Sequence, residues 1–477
     1  MELTPVSSIK LMAHQEEGVS FLTSAKSGLL AFEQGLGKTL VAIDAFQRIL
    51  ATGVVDAMVV ICPNSLKRTW VAELKKFAPT LDVEVVDGAA KERRNILSMS
   101  RATVFVINYE AARNEILALR ALLQRKRVVL VLDESHYVKN YRSLNTIAAQ
   151  HLAPFAPYRW LLSGTPVTNT PADIYPQICL VAGGHPFGSF ASFEASFANA
   201  AENPTARRAL SEKIKPYVLR RTKGECLDLP EKTFVDILVE LPPWQRKIYN
   251  AMRDDVSHEV EGMSDEEFRR FVPTALTRLL RLSQVASNPG LIMPDDERVP
   301  GKVVELDRII EELVGVNKQK VILWSYYVAT IEKLMARYSK YGTAALYGGT
   351  PSDERNSIAA QFQSDPELKL LLANPAAAGT GFTLTAASYT IYETLSWRYD
   401  YYAQSQDRNH RIGQKSAVTY IRLIAEGTVE QAIADALARK AQMAGAIIGD
   451  DALPVPIAEL TRSAFCEMLQ TGLLPAP

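Results

Sequence analysis

Glu33-Gln34-Gly35-Leu36-Gly37-Lys38-Thr39 is the stretch from which the rest of the chain can be read. Just before it, Leu29-Leu30-Ala31-Phe32 has the length and composition of a buried strand. Just after it, Leu40, Ile43, Phe46 and Ile49/Leu50 recur at helical spacing and make one apolar stripe. Strand, glycine turn, Gly-Lys-Thr and helix are the parts of a phosphate-binding loop. Gly35 and Gly37 let the backbone amides of Gln34-Gly35-Leu36-Gly37 turn inward to hold nucleotide, and the start of the helix adds unpaired N–H groups. Lys38 meets β/γ oxygens, and the Thr39 hydroxyl can hold Mg²⁺. Phe32 stands where the common G-x-x-x-x-G-K-T pattern has its first glycine. Taken alone, the stretch also fits an ordinary strand-to-helix turn with a surface lysine, so the decision rests on its surroundings.

Outward from the loop the pattern repeats. Strand-like runs occur at Ala57–Cys62, Val83–Val86, Thr103–Ile107, Val128–Leu132 and Arg159–Leu162, with helical stretches such as Thr69–Phe77 and Asn114–Gln124 between them. Such alternation predicts βαβ units and a parallel sheet covered by helices, with ligands beyond the carboxyl ends of the strands. After Val128–Leu132 come Asp133-Glu134-Ser135-His136. Two carboxylates delivered by an apolar strand suit a Mg²⁺-nucleotide site: Asp133 for the metal, Glu134 for the attacking water. Without a phosphate loop they would be a polar turn; with one about 95 residues upstream the chemical reading is preferred. Gln15 lies on a helix opening at Leu11–Gln15, and its amide can pair with an adenine. Ser65 and Lys67 follow one strand, Asn108 and Tyr109 another, and all four suit contacts to a nucleic-acid backbone. Trp70 reads as a core residue.

Further on, residues 207–223 hold Arg207, Arg208, Lys213, Lys215, Arg220, Arg221 and Lys223 against a single acid, Glu212. On a chain with 53 basic and 53 acidic residues, so dense an excess is a candidate nucleic-acid surface, with Arg220 and Arg221 among its contacts. Residues 244–287 read as helices, and prolines and acids at 294–300 as a linker. Strand–helix alternation then resumes at Lys320–Ser325, Thr343–Tyr347, Leu368–Ala373, Ser388–Tyr392 and Val418–Leu423, with no second phosphate loop. Ala377–Thr385, containing Gly379, Thr380 and Gly381, is a turn suited to nucleotide or DNA backbone. In Gln404–Gln414, Arg408 and Arg411 are three apart, which predicts one helical face reaching a γ-phosphate held by the first half. Such arginines are worth roughly 10³–10⁵ in rate.

Composition narrows the class. Hydrophobic residues make up 47% and charged residues 22% of 477, ordinary for a globular chain of two or three domains. Cys62, Cys179, Cys226 and Cys466 form no C-x-x-C pair, which fits a reducing compartment. No run approaches the roughly 18 apolar residues of a membrane span, so no membrane partner is expected.

Taken together, Leu11–Gln15, Glu33–Thr39, Asp133–His136, Ser163–Asn169, Ala377–Ala386 and Gln404–Gln414 resemble the ordered motifs of superfamily 2 helicases. Glu33–Thr39 is similar to D-E-x-G-L-G-K-T, and Asp407-Arg408-x-His410-Arg411-Ile412-Gly413-Gln414 matches D-R-x-H-R-I-G-Q of the Snf2 family of DNA translocases. Leu219-Arg220-Arg221-Thr222-Lys223 and Leu229-Pro230 are similar to the family's link after the first lobe. The likeness covers roughly residues 9–440 and leans toward the annealing-translocase branch. Glu33-Gln34 replaces Asp-Glu, and Ala377–Gly381 replaces a more glycine-rich run; neither change removes a catalytic group.

The resemblance implies an α/β fold of two RecA-like lobes with a helical insertion. Residues 1–225 would form lobe one, 226–300 the insertion and linker, 301–447 lobe two, and 448–477 a tail. It implies ATP and Mg²⁺ as cofactors and double-stranded DNA, gripped by its backbone, as partner. Lys38, Asp133, Glu134, Arg408 and Arg411 would be catalytic. Gln15, the loop 34–39, Gly381 and Gln404 would hold nucleotide, and Thr39 and Asp133 the metal. Ser65, Lys67, Asn108, Tyr109, Arg220, Arg221 and Thr380 would touch DNA. A DNA-stimulated translocase is expected, with a strand-separating helicase or an ATP-gated DNA clamp as alternatives. A targeting protein partner and a cytoplasmic, bacterial or phage setting complete the expectation.

Overall fold

The computed structural model describes residues 10–164, 166–167, 170–201, 203–378, 382–448 and 461–474. Two compact units divide chiefly between Asp228 and Leu229, with the described residues from Gln442 to 448 grouping with the first unit. Among the described residues no helix is long and apolar enough to cross a membrane.

The first unit is built on a seven-stranded parallel sheet: β1 Ser27–Phe32, β2 Ala57–Cys62, β3 Val83–Val85, β4 Val104–Asn108, β5 Val128–Asp133, β6 Tyr158–Leu162 and β7 Val218–Arg221. Their order across the sheet is β3-β4-β2-β5-β6-β1-β7. Every residue of β1, β2 and β5 is buried, as continuous apolar runs require when helices cover both faces. One face packs Phe105, Leu119, Leu130, Tyr175 and Phe193; the other packs Phe46, Trp70, Val131 and Trp160. Burying each large apolar side chain contributes about 1.5–3 kcal/mol. Three helices matter for the site: α1 Ala13–Ala25, α2 Lys38–Ala51 and α3 Lys67–Phe77.

The second unit carries six parallel strands: β8 Lys232–Val239, β9 Val321–Trp324, β10 Thr343–Leu346, β11 Leu370–Ala373, β12 Tyr389–Tyr392 and β13 Val418–Ala425. They run in the order β10-β11-β9-β12-β13-β8. The long helices Pro243–Glu261 and Asp265–Ser287 and the helix Arg462–Thr471 share a third core around Tyr249, Phe268, Leu279, Phe465 and Met468.

Two strands differ from expectation. Val218–Arg221, read as part of a basic segment, pairs with β1 in register from Leu29↔Val218 to Phe32↔Arg221. Lys232–Val239, placed in the helical insertion, pairs along its whole length with β13. Both are edge strands whose residues, apart from the buried Val239, are half-buried or exposed, so neither is the fully buried run that marks the central strands.

Candidate functional site

The phosphate loop begins at the carboxyl end of β1. Gly35 and Gly37 have φ of 89° and 85°, conformations that disfavour a side chain. A Cβ on Gly37 would stand 2.5 Å from Gln15 Nε2. α2 starts at Lys38, so its first N–H groups open onto the loop. Phe32 is tolerated in place of glycine because it is still a strand residue, fully buried, with no positive φ. Its carbonyl accepts from Lys38 Nζ at 2.9 Å.

α1 closes the loop from one side. His14 Nε2 donates to the Leu36 carbonyl at 3.0 Å and Gln15 Nε2 donates to the same oxygen at 3.3 Å. Gln15 Oε1 accepts from the Met12 N–H at 3.0 Å, so its amide is committed to the loop. Sequence reasoning missed His14; its place one residue before Gln15 was the only signal.

Two strands away, β5 delivers Asp133. Its carboxylate accepts from Trp70 Nε1 at 2.7 Å and from the Glu134 N–H at 2.9 Å, and its carbonyl accepts from Tyr109 Oη at 2.8 Å. Burial, reinforced by the neighbouring Glu134 charge and opposed by the Trp70 hydrogen bond, pushes the Asp133 carboxyl up to about 6. Glu134 has φ of 50°, in the left-handed region, a strained conformation for a residue with a side chain. Its Oε1 accepts from Gln34 Nε2 at 3.4 Å, and its Oε2 lies 3.3 Å from His136 Nδ1. Ser135 Oγ donates to Gln177 Oε1 at 2.7 Å, and Gln177 Nε2 donates to the Pro166 carbonyl at 2.7 Å. The turn after β6 is thereby tied to the acidic pair. Thr165, Thr168 and Asn169 of that turn lie outside the described residues.

This donor set suits a small hard cation bound mainly through phosphates. Asp133 and Glu134 are adjacent buried carboxylates, and burial together with the Glu134 charge pushes Asp133 up against the opposing Trp70 hydrogen bond and Lys38 charge, while the Thr39 hydroxyl belongs to the phosphate loop. Among the described residues no cluster of three or more His, Cys, Asp or Glu could hold a metal unaided, and Mg²⁺ in nucleotide sites seldom needs one.

Several expected residues are placed differently. Tyr109, read as a DNA contact, is buried and stacks on Tyr137 with ring centroids 5.2 Å apart. Burial holds its phenol well above the usual range, so it serves Asp133 as a donor and cannot face a phosphate from that position. Lys67, read the same way, is 7% exposed and paired with Asp87 at 2.8 Å. Arg207 and Lys223 are buried, so the basic run 207–223 is not one surface. Lys223 instead gives its N–H to Glu33 Oε2 at 2.8 Å, while Arg221 pairs with Glu17. Ser65 is exposed, and Asn108 is half-buried, capping the helix Tyr109–Asn114.

In the second unit the helix Tyr399–Gln406 stops before Arg408, contrary to the single helical face predicted for Arg408 and Arg411. Asn409 is the physical reason. Its Nδ2 donates to Thr390 Oγ1 at 2.8 Å and its Oδ1 accepts from Tyr420 Oη at 3.1 Å, while the Arg408 carbonyl accepts from the Leu384 N–H at 2.8 Å. The two arginines still converge, since Arg408 Nη1 and Arg411 Nη1 both donate to the Phe382 carbonyl, at 3.4 and 3.3 Å. Gln404 is buried, and its carbonyl accepts from Arg408 Nε at 3.0 Å. Thr380 and Gly381 lie outside the described residues.

Residues 11–291 match the SNF2-related domain and residues 302–413 the helicase conserved C-terminal domain. An uncharacterized ATP-dependent helicase of Mycoplasma pneumoniae is 29% identical over 452 residues, covering 92% of this chain and 42% of its own. The DNA annealing helicase and endonuclease ZRANB3 of Mus musculus is 27% identical over 461 residues, covering 92% and 41%. The Sulfolobus solfataricus SWI2/SNF2 ATPase core, solved in complex with dsDNA, is 26% identical with a TM-score of 0.46, over 99% of this chain and 100% of that one. The chain spans about two fifths of the length of the curated relatives it matches. The SNF2-related match alone takes in more than half of the 477 residues; the chain belongs to the SNF2-related helicase family.

Proposed function

We infer that the protein hydrolyses ATP to ADP and phosphate with Mg²⁺, that double-stranded DNA stimulates this, and that turnover drives it along the duplex. The observation that carries the reading is the meeting, at the tips of one parallel sheet, of the loop 34–39 with Asp133 and Glu134, linked through Gln34. The names of the relatives, ATP-dependent helicase and DNA annealing helicase, agree with it.

Each residue then has a task. Loop amides and Lys38 bind the β/γ-phosphates. Thr39 and Asp133 hold Mg²⁺, which when bound neutralises charge on the phosphate oxygens. Glu134 orients the attacking water and accepts its proton. Arg408 and Arg411 stabilise the transferring phosphoryl group. Gln15 keeps the loop in shape and borders the adenine position. Ser65, Asn108, Arg220 and Thr380 grip the DNA backbone, so binding is insensitive to base sequence and weakens steeply with salt.

Phosphate release measured with duplex, single-stranded and no DNA tests the reading. Wild type is expected to respond most to duplex, with rates that grow with duplex length, as a translocase requires and a clamp hydrolysing once per binding does not. Lys38→Ala is expected to lose about 10²–10³-fold in turnover. Turnover indifferent to DNA, or retained by Lys38→Ala, would overturn it.

A further inference from the structure

Ser65 and Asn108 sit at the tips of neighbouring strands, β2 and β4, and Asn108 Nδ2 donates to Asn64 Oδ1 at 3.4 Å, joining the two loops. β5 lies on the other side of β2 and ends at Asp133. Each loop sends one donor back to that residue. Trp70, five residues after Ser65 and on the first turn of α3, is 1% exposed and donates to the Asp133 carboxylate at 2.7 Å. Tyr109, directly after Asn108, donates to the Asp133 carbonyl at 2.8 Å.

We propose that Trp70 and Tyr109 are positioning residues that relay DNA contact to the metal-binding carboxylate: a duplex held at the Ser65 and Asn108 loops fixes α3 and the helix Tyr109–Asn114, and the two donors set the Asp133 carboxylate for Mg²⁺-nucleotide. The proposal rests on the reading of this protein as a DNA-stimulated ATPase. The geometry is specific. Asp133 is held through its carboxylate and its carbonyl by donors on the two helices that directly follow the candidate DNA loops. Both side chains also pack the core, so the polar contact is separated from packing by a substitution that keeps the ring: Tyr109→Phe removes only the hydroxyl, whereas Trp70→Phe also removes volume. Coupling through such a contact is reciprocal: if DNA tightens nucleotide, nucleotide must tighten DNA by the same factor.

The test measures binding, not turnover. The affinity of fluorescently labelled ADP with Mg²⁺ is determined with and without a short duplex of random sequence, for wild type, Trp70→Phe and Tyr109→Phe. Thermal unfolding of each protein without ligand checks that the fold is retained. Wild type is expected to bind the labelled ADP about 5–150-fold more tightly with duplex, the usual range of such coupling. In Trp70→Phe the factor falls close to one and in Tyr109→Phe it falls part of the way, while duplex affinity without nucleotide stays at the wild-type level. A purely packing role would instead weaken nucleotide equally with and without DNA, leaving the factor intact; that result overturns the relay and leaves the ATPase reading standing. A wild-type factor of one overturns the relay as well, while the ATPase reading stands or falls on the phosphate-release assay alone. Should Trp70→Phe fold poorly, Tyr109→Phe, which removes one hydroxyl and keeps the ring, decides alone.

Discussion

Asp56 and Asp133 stand at opposite ends of the neighbouring strands β2 and β5 and have opposite electrostatic fates. Asp56 precedes β2 at the amino edge. Arg127, which precedes β5, grips its carboxylate with Nη2 at 2.6 Å, Nε at 3.0 Å and its backbone N–H at 2.8 Å. That hydrogen-bonded pairing pulls the Asp56 carboxyl down to about 2. Asp133 closes β5 at the carboxyl edge, where burial and the adjacent Glu134 push it up to about 6. At the amino edge the neighbouring strand supplies a counter-charge, and the acid supports the scaffold. At the carboxyl edge burial and a second acid outweigh the opposing Trp70 hydrogen bond and Lys38 charge, and the scaffold is less stable for it. Charge set against stability in this way marks a place reserved for a ligand.

If that contrast is right, groups reserved for phosphoryl transfer lose turnover when removed and leave the fold alone. The largest effect is expected at Arg408 and Arg411, whose guanidiniums converge on the Phe382 carbonyl. Arg408→Ala and Arg411→Ala should each lower DNA-stimulated turnover by roughly 10³–10⁵-fold, with labelled-ADP affinity little changed, since the loop 34–39 holds the phosphates. Lysine should rescue poorly, because a point charge does not reproduce the planar fork. Near-normal turnover in both alanine variants would leave the second unit without a catalytic role. Next in size is Glu134→Gln, expected to cost about 10²–10³-fold in turnover while nucleotide still binds. A variant that hydrolysed normally would show that Glu134 does not handle the water.

The sequence made some of this legible and hid the rest for identifiable reasons. Leu29–Phe32 and Val128–Leu132 announce buried central strands because each is an unbroken apolar run, and the loop and Asp133-Glu134 follow at their tips. β7 and β8 were not legible: an edge strand with Arg220, Arg221 or Asp236 lacks that run. The helical face predicted for Arg408 and Arg411 failed because Asn409 spends its side chain on Thr390 and Tyr420, contacts distant in sequence. Tyr109 and Lys67 looked like surface residues on loops. Whether they are buried depends on strand order, which places β4 and β2 beside β5. Trp70 was correctly read as core, but its N–H bond to a carboxylate 63 residues away has no signal in its own segment.

Stability offers a finer measure of the contrast. The Asp133 carboxyl sits at about 6 in the fold against an ordinary 3.8, so the folded state favours the protonated form. Its support is present below the unfolded value and is lost as pH rises through about 6. Asp133→Asn has no such titration. In denaturant unfolding without nucleotide or metal, the variant should therefore gain on wild type by roughly 1–3 kcal/mol between pH 4 and pH 8. A pH-independent difference would show that the buried acid carries no penalty.

Asp56→Asn sharpens the contrast from the other end and is expected to have the smallest effect. Here the folded value of about 2 lies below the ordinary 3.8, so the contribution has the opposite sign: it is complete above the unfolded value and disappears as pH falls through about 2. The Asp56–Arg127 pair is open to solvent, with side chains 39% and 57% exposed. Screening and the freedom of two surface side chains keep such pairs weak, so Asp56→Asn should cost less stability at neutral pH than Asp133→Asn gains. Its deficit should stay level from pH 8 down to about 4 and close toward pH 2, where wild type has itself lost the charge. DNA-stimulated turnover should match wild type, because Asp56 and Arg127 precede β2 and β5 at the amino edge, whereas the loop and the acidic pair follow strands at the carboxyl edge. Acid titration of unfolding by circular dichroism, beside a phosphate-release assay, reads both halves. A deficit that widens toward low pH would reverse the sign assigned to Asp56, and a fall in turnover would mean the two edges of the sheet do not divide scaffold from site.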